Sequence, residues 1–279
     1  MPVGMNLTPG AGRDREARRG RDPGGDRGRV GNRGGRPEDG GRAPSRRRDE
    51  EVNPPRPELP ADAEASELDR EVRQELLTLP KGLADLVGSH LVAAGRALDE
   101  DPQLALAHAR FARSRAGRVA AVREAAGLAA YHAGEWSEAL AELRAARRLG
   151  GGPGLLAVLA DCERALGRPE RALEIARSPE AAELSTDEAV ELRMVAAGAR
   201  RDLGQFEAAV VALQGPELEV AGPEPWRARL RYAYADNLLA AGREQDAIRW
   251  FLAAAEVDAE DATDAGERAI ELSERSDPQ

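Results

Sequence analysis

Beyond residue 60, stretches of Ala, Leu, Glu and Arg alternate with short breaks that carry Gly or Pro. The stretches consist of good helix formers, and the breaks fall at intervals, which predicts helices joined by short turns. Within that pattern five strings align: Glu100-Asp101-Pro102-Gln103-Leu104-Ala105, Gly134-Glu135-Trp136-Ser137-Glu138-Ala139, Gly167-Arg168-Pro169-Glu170-Arg171-Ala172, Gly204-Gln205-Phe206-Glu207-Ala208-Ala209 and Gly242-Arg243-Glu244-Gln245-Asp246-Ala247. Their closing alanines stand 34, 33, 37 and 38 residues apart. Another small residue lies 12 positions before each: Ala93, Gly127, Ala160, Ala197 and Ala235. Small residues at both points let two helices pack closely where they cross, so each unit reads as a helix, a turn and a second helix.

Two units carry a proline seven residues after the closing alanine, Pro179 and Pro216. Proline lacks the donor N–H and clashes with the preceding turn, so both second helices should stop early. The connections 178–186 and 215–225 should then pack as ordered loops, with Leu184, Val190, Leu218, Val220 and Trp226 available to cover the exposed flank and Trp226 largely buried. At the start of the body, Ser66 with Asp69 resembles a capping box opening a helix to about Leu79, and Pro80 opens the next. At its end, Asp264 to Arg275 reads as a helix with Ala265, Ala269 and Leu272 turned inward and Glu267, Arg268, Glu271 and Glu274 outward, a polar-faced cap.

Composition divides the chain. Residues 1–60 hold 12 of 29 Gly, 9 of 18 Pro and 14 Arg against 10 acids, with few apolar side chains. Too little surface can be buried there to offset the entropy of ordering the backbone, so this part is expected to be a disordered tail. Residues 61–85 are expected to form an N-terminal helix and the start of the array, 86–261 the five repeats, and 262–279 the capping helix and a short tail. The tail's 13 Arg within 1–48, with Arg33-Gly34-Gly35, suit weak contact with nucleic acid through phosphate attraction. It has no aromatic ring for stacking and interleaves six acids. A solvated tail and attachment to the acidic body, net −14 over 61–279, remain open beside that reading. No apolar run is long enough for a transmembrane helix, no apolar stretch follows the N-terminal arginines to make a secretory signal, and one cysteine excludes a disulfide framework. A cytoplasmic chain is expected.

A period near 34 is that of tetratricopeptide (TPR) repeats, and the sequence resembles that family over about 86–261. The second unit matches best, with Gly127, Tyr131, Gly134, Trp136, Ala139, Leu143 and Ala146. The fifth follows, with Tyr234, Ala235, Ala247, Phe251 and Ala254. The series also resembles TPR proteins of high-GC bacteria, in keeping with 39 Arg against the single Lys81. The resemblance implies an all-α solenoid of helical hairpins whose first helices line a concave groove that holds a segment of a partner protein. On that groove it places Glu124, Leu128, Tyr131 and His132 of unit two, and Asp161 and Arg164 of unit three. Unit four adds Met194, Arg200 and Arg201; unit five adds Arg229, Tyr232, Asp236 and Leu239. Arg suits an acidic segment through bidentate hydrogen bonds. Equally, these arginines can pair with Asp161, Asp202 and Asp236. The Lys and Asn clamp of chaperone-tail binders lacks its residues: Lys81 and Asn237 are the only ones in the body.

Catalytic chemistry has little in this sequence to stand on. His90 stands alone on the first helix of unit one, and His108 and His132 have no Cys, Asp or second His at ligand spacing, so neither metal nor cofactor is expected. Cys162 lies between Asp161 and Glu163, whose charges oppose a thiolate. Gly150-Gly151-Gly152-Pro153-Gly154 lacks the strand and Lys of a phosphate loop and reads as a turn. The expected function is a protein-interaction scaffold without catalysis, the alternative an RNA- or ribosome-associated factor using the tail.

Overall fold

The computed structural model describes residues 55–276, apart from 151, 221, 223 and 225. The chain divides into two units, Met1–Val52 and Asn53–Gln279, and the described residues belong to the second. The expectation of a disordered tail therefore lies, for residues 1–54, outside the described residues. Those described are helical, with no strand among them. In order they form α1 (Arg70–Leu76), α2 (Lys81–Ala97), α3 (Pro102–Ala116), α4 (Ala120–His132), α5 (Trp136–Arg148), α6 (Leu156–Ala165), α7 (Pro169–Ala176), α8 (Thr186–Asp202), α9 (Phe206–Leu213), α10 (Pro216–Glu219), α11 (Trp226–Ala240), α12 (Glu244–Ala255) and α13 (Ala265–Ser276). None is long and apolar enough to cross a membrane.

The helices pack in the pairs α2/α3, α4/α5, α6/α7, α8/α9 and α11/α12, each pair followed by the next, with α13 against α12. The closing alanines Ala105, Ala139, Ala172, Ala209 and Ala247 are all fully buried, as are Ala160, Ala197 and Ala235, while Ala93 is 3 % exposed. In the second pair, a Cβ on Gly127 would stand 2.6 Å from Leu143 Cγ, so the close approach that small residues permit is used. First helices also touch across pairs: α2 meets α4, α6 meets α8, and α8 meets α11.

Four of the turns inside the pairs are built alike. Gly134, Gly167, Gly204 and Gly242 have φ of 77°, 73°, 71° and 77°, a left-handed backbone that glycine adopts without a Cβ clash. Each donates its N–H to the carbonyl three residues back, and the next residue donates to the carbonyl five back: Gly134 to Tyr131 and Glu135 to Ala130, and so on through Gly242 to Leu239 and Arg243 to Leu238. This double closure satisfies carbonyls at the helix end that have no intrahelical partner. The first pair lacks the glycine. There the Asp101 side chain accepts from Leu104 N at 3.0 Å and caps α3 instead.

Both proline-bearing units have second helices of eight residues, α7 and α9, against 13 in α5 and 12 in α12. The chain after α7 continues as a 3-10 turn, Pro179–Glu183, and after α9 as the single turn α10. Leu218 of α10 is 3 % exposed and joins the cluster of Val190, Leu213 and Leu230. Arginines fasten this connection as well: Arg193 donates to Glu217 at 3.1 Å, Arg227 to the Val220 carbonyl at 2.6 Å, and Arg231 to the Leu218 carbonyl at 3.2 Å. Two expected cover residues differ. Trp226 is half-buried against the cluster, and Val220 is 50 % exposed. The Val220 carbonyl is pinned by Arg227 while its side chain faces solvent.

The start of the body departs most from expectation. Ser66 does not cap a helix running to Leu79. A 3-10 turn spans Ala65–Glu67 with the reciprocal cap made by Glu64 and Glu67, and α1 begins after Asp69. Glutamate has the reach to return to the backbone from either end of so short a turn. The fold also begins before residue 61: Leu59 packs against Ala63, Val92 and Ala93, and Arg96 holds Asp62 at 3.0 Å and Glu67 at 2.8 Å. The boundary at 85/86 falls inside α2, so the first pair starts at Lys81. The segment with Leu59, Ala63, Leu68 and the Ala65–Glu67 turn packs against α2.

Candidate functional site

The row of first helices orders its polar side chains by one rule. Counting from the small residue of each crossing, position +4 carries Tyr131, Arg164 and Arg201, and position +1 of the following helix carries Asp161, Gly198 and Asp236. The +4 side chain reaches the +1 residue of the next pair. Tyr131 Oη donates to Asp161 Oδ2 at 2.7 Å, and Arg201 pairs with Asp236. At the middle joint the +1 residue is Gly198. Arg164 fills the vacated space and continues to Asp202 at 2.8 Å, while also holding Asp161 at 2.8 Å.

From α13, Arg268 closes the far end. It lies within 3.4 Å of both Tyr232 Oη and Asp236 Oδ1, with its guanidinium over the Phe251 ring at 5.2 Å. It is half-buried, which corrects its expected outward position. Two polar runs result, Tyr131–Asp161–Arg164–Asp202 and Arg201–Asp236–Arg268–Tyr232.

Burial sets the electrostatics of this row. It pushes the Tyr131 phenol far above the ordinary range, and neighbouring Asp161 pushes the same way, so Tyr131 stays a donor. Tyr232 is pushed up to about 12 by burial and its hydrogen bond with Asp264. For Arg164, burial works against the charge, and Asp202 and Asp161 overcome it, holding the cation above its usual value. Glu124 is raised by burial and by Glu75, whose carboxylate accepts from Ala121 N at 2.9 Å at the start of α4.

Of the candidates, Tyr131, Arg164, Arg201, Tyr232 and Asp236 are brought together along the row. Met194 is not on it: the side chain is 7 % exposed within the cluster of Val190, Leu213 and Tyr234, because the helical phase three residues before the crossing points into the pair. Arg229 pairs with Glu191 on α8, a separate contact. Arg200 is half-buried and takes no part in either run.

Sequence reasoning missed two groups. Arg268 sits beside Ala269, at the edge of the buried stripe of α13, which was a usable signal. The second is a pair of imidazoles. His90 does not stand alone; its Nδ1 lies 2.9 Å from His108 Nδ1, and both rings are essentially without solvent contact. His90 is three residues before Ala93 and His108 three after Ala105. In an antiparallel crossing, residues equidistant from the contact meet, so the spacing held this information.

Cys162 is buried, and burial with Asp161 and Glu163 pushes its thiol up to about 12. Among the described residues no group of three or more His, Cys, Asp or Glu is placed to hold a metal ion. No protein-family model matches the chain, and no curated protein matches its sequence.

Proposed function

We propose that the chain is a TPR-type scaffold that binds a segment of another protein along the groove of its first helices and performs no catalysis. The observation that carries this reading is the pair of polar runs along the first helices, built from side chains of successive helix pairs and α13. Their donors and acceptors are positioned by packing between adjacent pairs and, for Arg268, by α13, which lowers the entropy lost when a partner binds. The row is electrically balanced, with Asp161, Asp202 and Asp236 against Arg164, Arg201 and Arg268. An acidic segment must therefore displace an aspartate to gain an arginine. A polar segment that bridges the two runs needs no such exchange, and we favour it over an acidic one.

The test is site-specific photo-crosslinking with the full chain. A crosslinking residue at half-exposed Leu128 or Leu239, beside the row, is compared with one at exposed Arg171 on the second-helix side. Adducts formed from the first two and not the third support the groove. Equal labelling from all three sites, or labelling from Arg171 alone, overturns it.

A further inference from the structure

The buried His90–His108 pair has no role in the groove, and proton counting restricts what it can do. Four ring nitrogens share two protons when both rings are neutral. The contact between the two Nδ1 atoms uses one N–H and one bare nitrogen. His90 Nε2 is buried and has no hydrogen-bond partner. A buried N–H without an acceptor is costly, so the geometry assigns His90 the proton at Nδ1 and a bare Nε2, with His108 accepting at Nδ1 and carrying its proton at Nε2. One added proton cannot be accommodated in this arrangement. With three protons on the pair, both Nε2 atoms must carry hydrogen whichever ring is formally charged, and His90 Nε2–H is then a buried donor with no acceptor.

The surroundings add to that penalty. His90 stacks on Phe111 with centroids 4.3 Å apart. The same Phe111 ring has the guanidinium of Arg56 at 5.9 Å, from the N-terminal segment, and that of Arg115 at 5.1 Å, from α3. The charges that bear on His90 are His108 and Arg56, both unfavourable to an imidazolium, and for His108 burial alone acts. No carboxylate from α1, α2, α4 or the Ala65–Glu67 turn offsets them. The extended segment carrying Arg56 is held by Leu59, Ala63 and the Asp62–Arg96 pair, and by Arg56 over the Phe111 ring.

We infer that His90 and His108 form a proton-operated latch for residues 55–63: the neutral pair keeps the segment seated on α2 and α3, and uptake of one proton releases it. Release uncovers α2 at Val92 and Ala93.

Two measurements on the full chain test this. Hydrogen–deuterium exchange, with labelling times scaled to the intrinsic rate, is followed between neutral pH and about pH 4, the value to which His90 is lowered. Peptides covering 55–63 are expected to lose protection by about tenfold per pH unit between about 6.5 and 4, where the released pair binds a proton and the seated pair does not, ahead of α11 and α12, and His90→Leu is expected to keep the segment protected over the same range. Unchanged protection in the parent chain, or release of the variant at the same pH, overturns the latch. Should His90→Leu fail to fold, the tautomers read by long-range proton–nitrogen NMR of the parent chain decide the matter. Hydrogen at His90 Nδ1 is expected at neutral pH, and hydrogen at His90 Nε2 overturns the assignment on which the latch rests.

Discussion

Arg164 occupies the place of a side chain that Gly198 lacks: a Cβ at position 198 would stand 2.6 Å from Arg164 Cζ. The glycine thereby lengthens the reach of the arginine to Asp202, one turn further along α8 than the aspartates met by Tyr131 and Arg201. Gly198→Ala sets two effects of similar size against each other. Alanine in a helix interior gains about 1 kcal/mol over glycine, and displacing the partly exposed guanidinium loses at most about 1 kcal/mol per ion pair. Urea unfolding should find the variant within about 1 kcal/mol of the parent. A loss beyond about 2 kcal/mol would mean that Arg164 is too rigidly held to swing aside.

Ala139 is fully buried where α5 crosses α4. Ala139→Leu should overpack that contact and cost about 1–3 kcal/mol, read as a lower thermal midpoint. Ala172→Leu and Ala209→Leu should behave alike, since both positions are fully buried. Three unchanged midpoints would show that the crossings lie elsewhere.

Leu218 is the apolar anchor of the connection after α9. Leu218→Ala should cost about 2 kcal/mol or more, because the surrounding cluster can collapse only partly into the space left. Arg231→Met removes donors to the Leu218 and Ala253 carbonyls and should cost about 1–3 kcal/mol. Chemical denaturation of both variants separates the anchor from the strap. If neither is destabilised, the connection contributes nothing to stability.

Stability should fall on acidification in a defined window. His90 is lowered from 6.5 to about 4, chiefly by burial. Between those values the unfolded chain binds the proton and the folded chain does not, so this contribution is fully present above pH 6.5 and is lost as pH falls toward 4. Each pH unit of that window is worth about 1.4 kcal/mol, which bounds the loss at about 3 kcal/mol. His90→Leu should flatten that part of the stability profile, measured by urea midpoints at a series of pH values.

Cys162 should resist alkylation in the native chain at mildly alkaline pH, because its thiol is buried and pushed up to about 12, and only the thiolate reacts. Iodoacetamide labelling should become rapid only in denaturant. Rapid native labelling would place the side chain at the surface.

The periodic features were determined locally and could be read from the chain alone. A small residue at Gly127 and another at Ala139 set a helix crossing whatever lies around them, Gly134 ends a helix because its backbone can turn left-handed, and Pro179 and Pro216 end helices because they lack a donor. The aspartates that take up the first-helix arginines, Asp161, Asp202 and Asp236, could also be named from the sequence. Which of the two open readings holds could not, because it depends on side chains from different pairs meeting across 30 to 38 residues. The same limit hid the inward turn of Arg268 and the burial of Met194, both set by the phase of a helix against its neighbours. The His90–His108 contact marks the boundary most sharply. The spacing about Ala93 and Ala105 brings the two rings together, but only the packing of Phe111 and the N-terminal segment removes water from them, and the loss of that water is what shifts their protonation.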